Sequence, residues 1–414
     1  MTSRTDTDHR LSAWRFITTF GIVSLLADVV YEGARSITGP LLASLGAGGL
    51  VVGIVTGVGE AAALGLRLLS GPLTDRTQRF WAWSISGYTL TIVSVPLLGL
   101  AGALWVAAAL VIAERVGKAV RSPAKDTLLS HATSVTGRGR GFAVHEALDQ
   151  IGAVTGPLVV AAILAGTGND YGPALGVLAI PGVLALSLLL WLRRRAPTPA
   201  DYETEPVLLP SVTVTTRAAA TVSLPRAFWT YAVFTGVTMT GFATFGVLSF
   251  HMVHRGVISA AWVPVIYAAA MGADAVSALV SGWAYDRFGS VTLAALPILA
   301  ALIPFLAFTT TPAVVLVGAM VWGASVGIQE STLRAVVADL IPPRRRATAY
   351  GIYAAVLGGA TAIGGALTGF LYDVSVPALV IVTAAIQLTA LAVAAVVLLQ
   401  RRAREPARDE AAPH

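Results

Sequence analysis

Segments of roughly 20 predominantly apolar residues follow one another along this chain, each long enough to cross a bilayer core of about 30 Å. That repetition constrains the fold more than any single motif. Hydrophobic residues make up 56% of the 414 positions and charged residues 12%, against about 25% charged in an ordinary soluble domain. The chain therefore reads as an all-α polytopic membrane protein. Twelve spans are expected, near 14–38, 48–71, 81–102, 104–122, 140–166, 172–192, 226–252, 259–283, 291–309, 312–338, 347–371 and 377–399.

The basic residues sort onto alternate connections. One face receives Arg4 and Arg10, then Arg76 and Arg79, Lys125, Arg138 and Arg140, Arg193–Arg195, Arg287, Arg344–Arg346, and Arg401, Arg402 and Arg404. On the opposite face His254 and Arg255 are the exception. By the positive-inside bias the basic face is cytoplasmic, which puts both termini in the cytoplasm and the protein in the cell membrane. The net charge of +6 is accounted for by these connections, so no nucleic-acid partner is expected. With no cysteine, disulfides and thiolate metal sites are excluded. The first apolar segment reads as a retained span and not a cleaved signal.

The longest connection contains "RRRAPTPADYETEP", whose Pro, Thr and acidic residues mark a linker. Four regions follow: a six-helix bundle over 1–195, a cytoplasmic linker over 196–225, a second six-helix bundle over 226–400, and a tail over 401–414. The bundles repeat one another. "GPLTDRTQRF" (71–80) returns as "GWAYDRFGSV" (282–291), "RSPAKD" (121–126) as "RAVVAD" (334–339), and "GAVTG" (152–156) as "GALTG" (365–369), at nearly constant separation. Two duplicated six-helix halves suit alternating access around a central site.

The Gly-x-x-x-Asp-Arg pattern after spans two and eight resembles the inter-helix motif of the major facilitator superfamily. The resemblance implies that family's fold, and a conformational latch built from Gly71, Asp75, Arg76 and Arg79, with Asp286 and Arg287 in the second copy. Gly lets helices approach, and the Asp near a helix end pairs with Arg across the interface between halves. An unmade latch is expected to accompany opening toward the outer face. Arg121 and Asp126, placed near the membrane surface, are grouped with the latch. "GAVTGPLVVA" (152–161) resembles the fifth-helix motif of drug:proton antiporters, with Val160 and Ala161 where a Gly-Gly pair is usual. "ERVGKAVRSP" (114–123) resembles the fourth-helix motif, which gives Arg115 a buried role. There is no phosphate-binding loop, zinc motif or nucleophile elbow. The chain is expected to be no enzyme and to need no cofactor beyond a proton gradient.

Ionisable side chains cost about 2.5–3.5 kcal/mol each inside a span, so they persist where they face water or a partner. The first half carries most of them: Asp28, Glu32, Arg35, Glu60, Arg67, Glu114, Arg115, Lys118, Arg121, His145, Glu146 and Asp149. The second half holds mainly Asp274, Glu330 and Arg334. Asp28, Glu32 and Arg35 share one helix face, and Glu32 and Arg35 can pair. Asp28 is left either to take up a proton reversibly or to be fixed by Arg67 or Arg115. Proton coupling is accordingly assigned to Asp28, Glu32, Arg35, Glu146 and Asp149. A supporting charge network comprises Glu60, Arg67, Arg115, Lys118 and His145, with Arg115 or Lys118 reaching Glu146 and Asp149. Phe242, Phe245, Tyr267, Met271, Asp274, Gln329, Glu330 and Arg334 are the cavity candidates of the second half, joined by Trp322. Glu330 and Arg334 are spaced to satisfy each other.

The sequence is read as a monomeric, proton-coupled transporter that exports small amphipathic or hydrophobic compounds across the bilayer. An importer or uniporter of a polar or anionic metabolite, drawing on Arg35, Arg67 and Arg115, is the alternative. A non-transporting receptor is the distant one.

Overall fold

Apolar runs of this length, placed in hydrocarbon, must close their backbone hydrogen bonds internally, and they do so as helices. The computed structural model describes residues 11–202, 224–341 and 346–402. In chain order the helices are α1 (Ala13–Ser44), α2 (Gly49–Gly65), α3 (Arg67–Thr77), α4 (Phe80–Leu98), α5 (Leu104–Thr136), α6 (Arg138–Gly166), α7 (Tyr171–Gly176) and α8 (Ala179–Arg195). The second half contributes α9 (Arg226–Thr240), α10 (Phe245–His254), α11 (Val263–Phe288), α12 (Ala295–Ala307), α13 (Pro312–Leu340), α14 (Arg346–Val374) and α15 (Val376–Arg402). Helices α2 and α3, α7 and α8, and α9 and α10 combine as single crossings. The result is twelve crossings in two six-helix bundles. Most of the 196–225 linker and of the 401–414 tail lies outside the described residues, as do Arg344, Arg345 and the side chain of Arg334.

Three elements differ from the expected spans. The fourth crossing does not end near residue 122, because α5 continues as helix to Thr136. Its extension carries "RSPAKD" inside the bundle instead of on a surface connection. The second crossing bends at Leu66, where α2 gives way to α3. The seventh is interrupted at 241–244. There Thr244 caps α10 by accepting from the Val247 N–H at 3.4 Å, and the Trp322 indole N–H donates to the Ala243 carbonyl at 2.9 Å. Broken backbone at membrane depth is tolerated when its polar groups are met this way.

The two bundles meet closely at the end away from the basic connections. A Cβ on Gly39 of α1 would lie 2.1 Å from the Gly246 carbonyl oxygen of α10, and one on Gly53 of α2 would lie 2.0 Å from that of Gly365 in α14. Only glycine permits backbones that close. Hydrogen bonds join the halves at this end as well. Thr56 and Thr244 hydroxyls are 2.8 Å apart, the Asp373 carboxylate accepts from the Gly49 and Leu50 N–H groups at 2.8 Å each, and the Ala261 N–H donates to Asn169 at 3.1 Å.

One hydrophobic core runs continuously through this junction into the second half. Toward the basic face the first half instead packs a core of its own, around Phe16, Phe20, Trp81, Tyr88, Leu128 and Leu189. The bundles are thus joined most closely at one end, while contact continues along the second crossing and α14 as far as Leu68 and Gly351. Trp14, Trp191 and Trp229 on the basic side and Trp105 and Trp262 on the other are exposed, at the depths where membrane-interface aromatics sit.

Candidate functional site

A cavity of about 320 Å³ lies between the bundles. Its lining runs from Thr38, Thr56 and Thr244 at the fused end to Arg67, Lys125, Asp126, Glu146 and Glu330 toward the basic face. Asp126, Glu146 and Glu330 are exposed although they line it, so the cavity opens toward the basic side.

The first-half wall is a chain of ion pairs. On α1, Arg35 lies 3.6 Å from Glu32 and donates to Glu60 of α2 at 2.8 Å. Glu60 also lies 3.3 Å from Arg115 Nη1, whose Nε is 3.4 Å from Glu114. The face of the Tyr31 ring receives Arg115 at 4.6 Å and Lys118 at 3.9 Å, a cation–π arrangement in a partly dry site. Because α5 remains helical past residue 122, Arg115, Lys118, Arg121 and Lys125 recur every three or four positions and form one stripe.

Asp28 pairs with Arg121, at 3.6 Å, and not with Arg67 or Arg115. Arg121 in turn lies over the Tyr88 ring at 4.4 Å. Arg121, grouped with the latch on the assumption of a surface position, is buried in the cavity wall. The physical reason is the uninterrupted α5. Asp126 likewise lines the cavity mouth. Asp149 of α6 is met by Lys125 at 3.5 Å and by His145 at 3.6 Å, not by Arg115 or Lys118, since Lys125 is the cation at that depth. The His145 ring is held by Ser24 at 2.8 Å, and Glu146 stands at the mouth.

The second-half wall is different in kind. Phe242, Phe245, Met271, Trp322 and Gln329 line it, with Asp274 and Glu330 as its acidic members. The break between α9 and α10 presents Phe242 and Phe245 inward. Phe245 packs edge-on to Tyr267 at 4.6 Å between ring centres and lies 5.2 Å from Trp322. Tyr267 lies behind this wall. Its hydroxyl donates to Glu32 at 2.5 Å, a link between the halves that spacing along the sequence could not reveal.

The latch residues are not engaged. A Cβ on Gly71 would meet nothing within 4 Å. Asp75, Arg76, Arg79, Asp286 and Arg287 are exposed and form no ion pair among the described residues. These residues thus lie apart in a structure whose cavity opens to the basic side, whereas the expectation joined an unmade latch to opening toward the outer face.

The model of the Major Facilitator Superfamily matches residues 20–273 and 254–414. The chain belongs to the Major Facilitator Superfamily. An uncharacterized protein of Mycobacterium tuberculosis is 68% identical over 94% of this chain and 95% of its own length. An uncharacterized MFS-type transporter of Methanocaldococcus jannaschii is 28% identical over 44% of this chain and 45% of its own. Among solved structures, nucleoside transporter NupG superposes with a TM-score of 0.68 at 14% identity, covering 93% of this chain and 98% of that one. Peptide transporter POT in complex with sulfate superposes with a TM-score of 0.71 at 16% identity, covering 93% and 94%. At such identities the likeness is one of fold. Membership in this transporter superfamily makes the central cavity the natural place to look for a translocation site.

Two participants carry no motif in the sequence, Tyr31 of the first wall and Asp373 at the fused end. Lys125, expected on a basic surface connection, enters the wall because α5 continues as helix through Pro123.

Proposed function

We propose that this protein is a proton-coupled secondary transporter in the cell membrane, with both termini cytoplasmic, and that its solute is small, polar and charged. The carrying observation is the cavity wall. Ion pairs from α1, α2, α5 and α6 occupy it along its depth, and such a surface is costly to strip of water against an apolar cargo. The basic residues on alternate connections support a cytoplasmic basic face, and hence an inward-open conformation. The region 1–195 and the region 226–400 act as the two rocking domains.

Proton exchange is assigned to Asp28, with Glu32 as its partner. Among the described residues Asp28 has a single cationic contact within 4.0 Å, at the long distance of 3.6 Å. Protonation there frees Arg121. Glu32 accepts the Tyr267 hydrogen bond across the interface, so a proton on Glu32 weakens a tie between the halves. Charge in the first half thus sets which way the bundles lean.

The test is transport by purified protein in liposomes under an imposed pH gradient. Accumulation of a charged solute that collapses with a protonophore supports the reading. Asp28→Asn is expected to retain solute counterflow while losing accumulation at least tenfold. If Asp28→Asn and Glu32→Gln both keep full proton-driven accumulation, the proton assignment fails.

One observation favours a second reading, export of amphipathic compounds in the manner of the drug:proton antiporters that the fifth-helix motif resembles. Phe242, Phe245, Met271 and Trp322 offer an apolar and aromatic surface. Dye efflux without movement of any charged metabolite would establish it over the first.

A further inference from the structure

Two charges of the cavity wall that are not exposed, Lys118 and Asp274, have no ion pair among the described residues, and they lie in opposite halves. Along the α5 stripe Arg115 has Glu60 and Glu114, Arg121 has Asp28, and Lys125 has Asp149 within 4.0 Å. Lys118, on the same face, has no carboxylate within that distance among the described residues and rests on the Tyr31 ring. Across the cavity Asp274 is 6% exposed, on a helix whose other cavity-lining member is Met271. It has no hydrogen bond or ion pair among the described residues. The charges near enough to act on it are Glu330 from α13, Glu32 and Arg35 from α1, and Glu146 from α6. Three of these are acidic, and Arg35 is already engaged by Glu60 at 2.8 Å.

Burying an unmatched charge is expensive, and the cost is removed by a ligand of opposite sign. The neighbourhood of Asp274 attracts a cation. The stripe attracts an anion, since Arg121 is 5% exposed and keeps a buried Nη1 without a hydrogen-bond partner, its Nη2 facing Asp28. A simple anion would leave Asp274 without a partner, and a simple cation would leave Lys118 with only Glu32 and Asp28, both beyond 4.0 Å and engaged by Arg35 and Arg121.

We infer that the transported solute is bipolar, with a protonated amine taken by Asp274 and a carboxylate or similar anion taken by Lys118. This rests on the reading of the protein as a transporter of charged solutes. Because the two groups belong to different bundles, a bipolar solute draws the halves together at the open end. Binding is thereby coupled to closure by attraction across the interface, which a solute touching one wall does not supply.

The experiment uses the full chain in liposomes. Counterflow and ligand-induced thermal shifts are measured with the common amino acids, each beside its deaminated acid and its decarboxylated amine, as with leucine, 4-methylpentanoate and 3-methylbutylamine. At least one zwitterion is expected to be preferred about tenfold or more over both of its counterparts. Asp274→Asn then erases the preference over the deaminated acid, and Lys118→Gln erases the preference over the amine. Asp274→Glu and Lys118→Arg restore each preference, which separates recognition from a folding defect.

The inference is overturned if no zwitterion is preferred over its counterparts. It is also overturned if Asp274→Asn abolishes proton-driven accumulation while leaving amine selectivity intact, for Asp274 is then a proton carrier. Proton-driven movement of a singly charged solute sinks the bipolar inference and leaves the proposed function standing. Failure of every charged solute to move sinks both.

Discussion

The two bundles share a backbone plan and differ in what they turn toward the cavity. The first half presents paired charges drawn from four crossings. The second presents aromatic rings and methionine with Asp274 and Glu330 set among them. Duplication preserves the helix-packing residues, "GAVTG" and "GALTG" among them, because both bundles must bend and approach in the same way. It does not preserve the charges, because packing asks the same residues of both bundles while the proposed proton exchange asks for only one set. The lesson is a division of labour. Electrostatic state is stored in one bundle, and shape and apolar contact are supplied by the other.

The sharpest way to break this contrast is to remove the hub of the charged wall. Glu60 serves both Arg35 and Arg115, so Glu60→Gln leaves one buried and one half-buried guanidinium short of an anion. Stability is expected to fall by about 3 kcal/mol and transport by two orders of magnitude or more. Detergent melting temperature and liposome uptake check the two effects. If uptake stays within tenfold of wild type, the ion-pair chain is not the core of the mechanism.

Next in size is a change at the fused end. Gly39→Val puts a side chain where the Gly246 carbonyl already sits, and overpacking of this kind costs about 1–3 kcal/mol. The cost falls on the closed junction at the fused end, so the population is expected to move toward a form open at that end, outward-open on the proposed orientation. The natural chain has no cysteine, and spin labels on single introduced cysteines can report the distance between bundles at each end. Unchanged distances would mean that the junction is not the element that opens.

A smaller effect is expected from the aromatic wall. Phe245→Leu should raise KM several-fold and leave the coupling to the proton gradient unaltered, whereas any charged-wall variant should disturb coupling. A loss of coupling in Phe245→Leu would erase the distinction drawn between the walls. The smallest effect belongs to Asp373→Asn. Weakening a cap on the α2 N-terminus across the interface costs about 1 kcal/mol. A modest rise in outward-open population is expected, read by the same labels.

Much of the architecture was legible in the sequence because hydrocarbon enforces simple rules. Apolar runs of fixed length become helices, basic connections mark one face, and a repeated Gly-x-x-x-Asp-Arg pattern marks two halves of one superfamily. The concentration of ionisable residues in the first half was legible too, since a charge inside a span is conspicuous by type alone. Local spacing on α1 correctly brought Glu32 and Arg35 within ion-pair distance.

Partner choice was not legible. Whether Asp28 meets Arg121 rather than Arg67 or Arg115 depends on how far α5 extends and how it is rotated against α1, which no motif encodes. The same holds for Tyr267 reaching Glu32 from the other bundle, for the break that turns Phe242 and Phe245 inward, and for Lys125 replacing Lys118 as the partner of Asp149. Sequence alone determined which crossings exist and where charge is stored, because hydrophobicity and charge act residue by residue. Only the tertiary structure decided which charges meet a partner and which, Lys118 and Asp274 among them, have no ion pair among the described residues. That is a property of distances between helices far apart in the chain.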